Sequence, residues 1–221
     1  MPSRKNDIVG DMIPEPALRR LPWYLAYVTN LRKHGVENVS STQISRDLSV
    51  DSSQIAKDLS FLKIKGKTRI GYDVATLEQQ LQEFLGFRHS HNALIVGVGS
   101  LGSALILDSG LSQFGLNIVA GFDINPDLIG RSICDIPVFS VDELKMRCRQ
   151  FSSEIGIITV PFENAQEAAD KLIAAGVKAL WNFTPMRISV PGDIVVSNTS
   201  IYAHLAVMYN RLAEAKKSSV K

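Results

Sequence analysis

The sequence predicts an α/β chain in two parts: short helices closed by a basic hairpin in front, and a parallel sheet covered by helices behind. Three observations carry the prediction. Apolar residues recur at helical spacing as far as Leu85. The period then changes, and "NALIVGVG" is too apolar to expose either face, as in a parallel sheet covered on both sides. From there strand-like and helix-like runs alternate to the end. The 221 residues, 45% of them hydrophobic, can bury at least one good core and allow two domains.

In "IPEPALRRLPWYLAYVTNLRKHG", Leu18, Leu21, Leu25, Val28 and Leu31 mark one buried helical face that ends near Gly35. Pro22 interrupts it, so the helix kinks or begins again there. "SSTQISRDLSV" follows, with Ser40 and Gln43 spaced as a capping box and Ile44 and Leu48 as a short apolar stripe. In "DSSQIAKDLSFL", Asp51 can cap, and Ile55, Leu59 and Leu62 face inward. Two short helices across the tight "LSVD" turn, behind a longer one, make a helix-turn-helix.

The outward residues of the third helix read as Ser52, Ser53, Gln54, Lys57, Asp58 and Ser60, a set that suits base edges and phosphates, or simply a solvated surface. Context favours the first. "LKIKGKTRIGYDV" places Lys63, Lys65, Lys67 and Arg69 at every second position around Gly66, as in a hairpin with a cationic face. Residues 1–70 hold 12 Lys and Arg against 7 Asp and Glu, while residues 71–221 hold 12 against 15, so the positive charge belongs to the front. A helix in the major groove beside a basic wing is how winged-helix proteins hold double-stranded DNA, with Arg19 and Arg46 as further contacts. A protein-interaction module is the alternative.

"VATLEQQLQEFLGF" carries Leu77, Leu81, Phe84 and Leu85 at helical spacing and reads as a connecting helix ending at Gly86, which closes a first domain at residue 88. A second domain, 89–221, opens with "NALIVGVG". The loop Gly97, Val98, Gly99, Ser100, Leu101, Gly102 has the spacing G-x-G-x-x-G, in which the first glycine permits the turn, the second admits a pyrophosphate and the third lets helix and strand approach. "LNIVAGFD" then ends in Asp123, 21 residues after Gly102, where a carboxylate can accept both ribose hydroxyls and repel a 2′-phosphate. NAD(H) is therefore expected over NADP(H), unless Asp123 is only a turn residue before "INPD". The runs "IPVFS", "IGIITV" and "ALWNF" alternate with "VDELKMRCRQ" and "NAQEAADKLIAAG", a Rossmann-type arrangement. Its strand ends bring Ile124, Val160, Pro161, Asn182, Phe183 and Thr184 to the same crevice as Gly99.

Other classes find little support. Cys134 and Cys148 are too few for a disulfide framework and lack metal-ligand spacing, as do His34, His89, His91 and His204. The leading "MPSRKNDIVGDMIPEP" has no apolar targeting core and no stretch reaches membrane-spanning length, so a cytoplasmic protein is expected. A hydride-transfer enzyme needs a proton donor or acceptor beside the nicotinamide. "TVPFEN" and "NFTPMRI" offer mainly apolar and amide groups, which favours a sensor without catalytic residues over an NAD-dependent dehydrogenase. A CoA- or nucleotide-binding regulator is a further alternative.

Taken in order, "RRLPWYL", "SSTQISRDLSVDSSQIAKDLS", "GYDV", the GVGSLG loop and "WNFTP" resemble the Rex family of redox-sensing transcriptional repressors over nearly the whole chain. The resemblance implies a homodimer that binds a palindromic operator when NAD+ predominates and leaves it when NADH accumulates. It also implies that the last helix, "SIYAHLAVMYNRLAEAKK", is exchanged between subunits and brings Ile201 to the partner's nucleotide site. Ile201, Leu205, Met208 and Leu212 recur at three and four, as in a buried helix. Three positions depart from the family pattern. Ser200 stands where many members carry an acidic residue, Asp108 where some carry an aromatic one, and "SFLKIKG" where an aromatic-glycine pair is common.

Overall fold

The computed structural model describes residues 13–62 and 64–218; residues 1–12, which hold most of the leading stretch analysed above, and the wing candidate Lys63 lie outside the described residues. The chain forms two compact units, Met1–Arg88 and His89–Lys221.

In the first unit, α1 (Glu15–Leu18) stops at Arg19 and α2 (Leu21–Lys33) begins again, with Pro22 in its first turn where the missing N–H removes no helical bond. Strand β1 (Asn38–Val39) leads to α3 (Ser41–Leu48), whose cap is Ser40 Oγ accepting from Gln43 N at 3.1 Å. The helix α4 (Ser52–Ser60) is capped by Asp51, which accepts from Ser53 N and Gln54 N at 2.8 and 3.2 Å. Strand β2 (Tyr72–Asp73) pairs antiparallel with β1, and α5 (Val74–Phe84) follows. Leu21, Tyr24, Leu25, Val28, Ile44, Ile55, Leu59, Leu77 and Leu81 fill the core. Leu18 and Phe84, expected on the buried stripes, are exposed; Ala17 takes the inward place in the single turn of α1.

Two expectations for this unit are corrected. Asp58 is not outward but wholly buried, because residues 55, 58, 59 and 62 form one helical stripe and its polar type concealed that position. The basic hairpin does not turn at Gly66. Lys67 and Gly71 exchange backbone bonds of 2.7 and 2.8 Å around a turn at Thr68–Ile70, with Arg69 at φ 66°, so a single bridge replaces a ladder.

The second unit runs β3 (His91–Val96), α6 (Ser100–Leu107), α7 (Ser109–Gln113), β4 (Leu116–Asp123), β5 (Ser132–Ile133), β6 (Ile136–Ser140), α8 (Leu144–Gln150), β7 (Ile155–Ile158), α9 (Ala165–Ala175), β8 (Ala179–Asn182), β9 (Val195–Asn198) and α10 (Ile201–Ser218). The sheet order is β5-β6-β4-β3-β7-β8-β9, with β5 antiparallel on β6 and the remaining pairs parallel. The chain winds outward from β3 first through β4 and then through β7, so the carboxyl ends of these three strands flank the topological switch point. Strand β9 carries no strong apolar signal, since only Val196 of "VVSN" packs against the core, and it is identified by its register with β8.

The apolar stripe of α10, expected to be buried, is uncovered within one chain. Ile201, Met208 and Leu212 are 48%, 53% and 53% exposed, and Leu205 is half-buried. Among the described residues no helix is long and apolar enough to cross a membrane, and no cluster of His, Cys, Asp and Glu could hold a metal ion. Cys148 is buried, which pushes its thiol up, and Cys134 is exposed.

Candidate nucleotide crevice and nucleic-acid interface

The glycine loop leaves β3 at Gly97, whose φ of 91° suits a residue without a side chain. A Cβ at Gly102 would lie 2.0 Å from the Gly97 carbonyl oxygen, so only glycine lets α6 pass this close to the strand end. At Gly99 the opposite holds, and a Cβ would meet nothing within 4 Å because that position faces the open crevice. Thr159 Oγ1 donates toward Gly97 O at 2.6 Å, fixing the loop against the end of β7. No side chain caps α6, and its first amides turn the positive end of the helix toward the same opening.

Asp123 ends β4 with its carboxylate already oriented. Oδ2 accepts from Val98 N at 2.8 Å, and Oδ1 accepts from Ile124 N and Asn125 N at 2.8 and 2.9 Å. The loop and the acidic residue thus hold each other in place, and of the roughly four lone-pair sites of the carboxylate one, on Oδ2, is left for a ribose hydroxyl.

Two clefts meet along Thr159, Val160 and Pro161. The first, of about 300 Å³, is lined by Gly97, Gly99, Asp123 and Ile124 together with Val141, Ala168 and Lys171. The second, of about 460 Å³, is lined by Leu101, Phe162, Phe183, Thr184, Ile201 and Tyr202. Four predicted residues do not line either cleft. Val98 is buried with its N–H bound to Asp123, Gly102 serves packing, and Ser100 is exposed in the first turn of α6. Asn182 is wholly buried, donating to Met186 O and Asn198 Oδ1 at 2.7 and 2.9 Å and accepting from Thr184 N and Oγ1 at 3.0 and 2.9 Å. It shapes the loop that presents Phe183 and Thr184.

Sequence reasoning missed Val141, Glu167, Ala168, Lys171 and Tyr202. Glu167 and Lys171 form an i,i+4 ion pair of 2.9 Å that reads as ordinary helix surface, and only the crossover from β7 brings it to the crevice. The ionisable groups lining the second cleft are Glu163 and Tyr202.

In the first unit, Lys57, Lys65, Lys67 and Arg69 are exposed, and Ser53 is exposed with its hydroxyl donating to Asp51. Ser52 is half-buried. Arg19 is paired with Glu15 at 2.7 Å and Arg46 with Asp47 at 3.2 Å, both at the surface, where such pairs are worth little and exchange readily for a phosphate. Gln54 is turned inward, its amide donating to Asp58 Oδ1 at 2.7 Å.

Asp58 also receives a two-pronged bond from Arg20, at 2.7 and 2.8 Å, and the Tyr24 hydroxyl at 2.8 Å. Burial opposes its ionisation, but the Arg20, Tyr24 and Gln54 bonds outweigh burial and hold the carboxyl below the ordinary range. Burial and the Asp58 charge push the Tyr24 hydroxyl well up. Glu78, likewise buried and held low against the cost of burial, takes bonds from Arg32 and Thr29. These two clusters fasten α2 to the helix that bears Lys57 and to α5, setting the angle at which the exposed cations are presented.

Two family profiles match the chain: a putative DNA-binding protein N-terminus over residues 12–60 and a CoA binding domain over residues 88–186. The redox-sensing transcriptional repressor Rex of Bacteroides fragilis is 56% identical over 90% of this chain and 91% of its own length. The repressor of the same name from Treponema denticola is 40% identical over 88% of this chain and 94% of its own. A solved structure of RSP with β-NAD+ and operator DNA matches with a TM-score of 0.89 at 35% identity, covering 94% of this chain and 96% of that one. RSP with β-NADH matches at 0.85 and 34%, covering 95% and 99%. These relatives are named as repressors, which sets the dehydrogenase reading aside. By its identity to them along most of its length, this chain belongs to the Rex family of redox-sensing transcriptional repressors.

Proposed function

We propose that this chain represses transcription as a homodimer that holds a palindromic operator while NAD+ predominates and releases it when NADH occupies the crevice. The observation that carries the reading is the pair of clefts joined at Thr159–Pro161, which run from Asp123 past the glycine loop to Phe183 and Ile201. That path fits a dinucleotide. Its adenosine ribose lies at Asp123 and Ile124, its pyrophosphate over Gly97, Gly99, Ser100 and Leu101, and its nicotinamide near Val160, Pro161, Phe183 and Thr184. Val98, Gly102 and Asn182 shape these walls. NADH and NAD+ differ by a hydride and one positive charge on the ring; the apolar walls at Phe183 and Ile201 favour the neutral form, against the attraction of the Glu163 carboxylate for the cation.

DNA is held through Lys57, Lys65, Lys67 and Arg69, with Arg19 and Arg46 on neighbouring phosphates and Ser52 and Ser53 near base edges. RSP, solved with β-NAD+ and operator DNA and separately with β-NADH, supports both halves of the reading. The uncovered residues Met208 and Leu212 support a dimer that pairs through α10; within one chain Ile201 already lines its own second cleft, so the exchange that would bring the partner's Ile201 there rests on the family resemblance. The cytoplasm is where such a repressor meets both its operator and the nucleotide pool. Linkage bounds the response: if NADH binds the DNA-free form about a hundredfold tighter, it weakens operator binding by at most about a hundredfold, roughly 2.7 kcal/mol. The test titrates the protein with NADH and NAD+ on a palindromic duplex selected from random DNA. NADH should release the duplex and NAD+ should not; equal effects of the two would overturn the reading.

A further inference from the structure

The second cleft is connected to the start of α10 by two contacts. Phe183, in its wall, stacks on Trp181 with ring centroids 4.5 Å apart and planes tilted by 44°. Trp181 lines neither cleft, and its Nε1 donates to Thr199 Oγ1 at 2.9 Å. Thr199 directly precedes Ser200, whose hydroxyl accepts from Ala203 N at 3.2 Å in the first turn of α10.

The surroundings make this bond the adjustable one. Residues 179–182 and 195–198 are tied in parallel register, Asn182 Nδ2 donates to Asn198 Oδ1 at 2.9 Å, and Thr199 N donates to Asn182 O at 2.8 Å. The backbone is therefore held to β8 as far as Thr199 N, and α10 begins two residues beyond that last tie. Phe183 follows the end of the strand two residues after Trp181 and lies against its ring, so a ring pressing on Phe183 bears on Trp181. The indole N–H is half-buried, and moving it off Thr199 costs its only protein acceptor among the described bonds.

We propose that Trp181, through its bond to Thr199, is a positioning residue that couples occupancy of the second cleft to the setting of α10. The inference rests on the reading that the nicotinamide ring occupies that cleft. Coupling of this kind is measured as the ratio of operator affinities without and with NADH. Thr199→Val keeps the shape of the side chain and removes the acceptor. Relative to wild type it should hold the NADH affinity within about twofold while cutting the NADH-induced loss of operator affinity about fivefold, about 1 kcal/mol.

Trp181→Phe removes the donor instead and should give the same loss of coupling, so the test survives if one variant fails to fold. Thr199→Ser, which keeps the hydroxyl, should respond as wild type does. Full coupling in either Thr199→Val or Trp181→Phe, whichever folds, overturns the proposal, and so does equal loss in Thr199→Ser, which would trace the effect to packing. A wild-type protein that binds NADH without releasing DNA overturns the functional reading, and this inference with it.

Discussion

Replacing Asp123 with Ala tests the assignment of the adenosine end. The carboxylate accepts three backbone N–H groups at 2.8–2.9 Å, so its loss disturbs the Val98 loop as well as any ribose contact. That disturbance weakens NADH and NADPH together, and the ratio of their affinities isolates the nucleotide contact. In the wild type a 2′-phosphate would approach a fixed negative charge. At 4 Å one pair of unit charges repels by about 1 kcal/mol in water and about 4 kcal/mol near a protein surface. Loss of the hydroxyl bonds to a charged acceptor adds about 1.5–3 kcal/mol. A half-exposed site with a solvated phosphate falls toward the lower figures, so the wild type should prefer NADH by on the order of a hundredfold, about 2.7 kcal/mol. Asp123→Ala should bring this below about tenfold. Calorimetric titration with both nucleotides measures the ratio directly. Equal binding of NADH and NADPH by the wild type, or an unchanged ratio in the variant, would refute the role of Asp123.

The glycines should separate by mechanism: Gly99→Val, in open space, should leave thermal stability within about 0.5 kcal/mol yet weaken NADH binding more than about tenfold. Gly102→Ala, with its Cβ 2.0 Å from Gly97 O, should lower the melting temperature outright, with a loss of about 2 kcal/mol or more of stability. Lys65→Ala with Lys67→Ala should flatten the plot of log affinity against log salt by about 1.8, at roughly 0.9 per phosphate contact, whereas an unchanged slope excludes the wing from the DNA. Asp58→Ala leaves the Arg20 guanidinium and the Tyr24 hydroxyl without their carboxylate and should destabilise the protein by about 2–3 kcal/mol in chemical denaturation. Because the folded Asp58 carboxyl titrates below its unfolded value of about 3.9, its stabilisation is complete above that pH and fades as pH falls through the lower folded value. Asp58→Asn should therefore show a smaller loss of stability on acidification than the wild type.

The sequence by itself determined the elements whose signals are local. Helix starts at Ser40 and Asp51 were legible because a cap and the amide it satisfies lie within one turn. The glycine loop and Asp123 were legible because a tight turn, a close helix and a strand end each impose a residue type at a fixed spacing. The tertiary structure alone decided the rest. Asp58 reads as surface until Arg20, 38 residues away, arrives to bind it, and Asn182 reads as a free amide until Asn198 and the Met186 carbonyl consume it. Lys171 and Tyr202 reach the clefts only through the crossover to α9 and the exit from β9. The stripe on α10 is plain in the sequence, yet within one chain Met208 and Leu212 stay exposed and Leu205 is only half-buried. Periodicity records which residues share a face, but what that face meets depends on contacts between distant segments, and no local spacing encodes those.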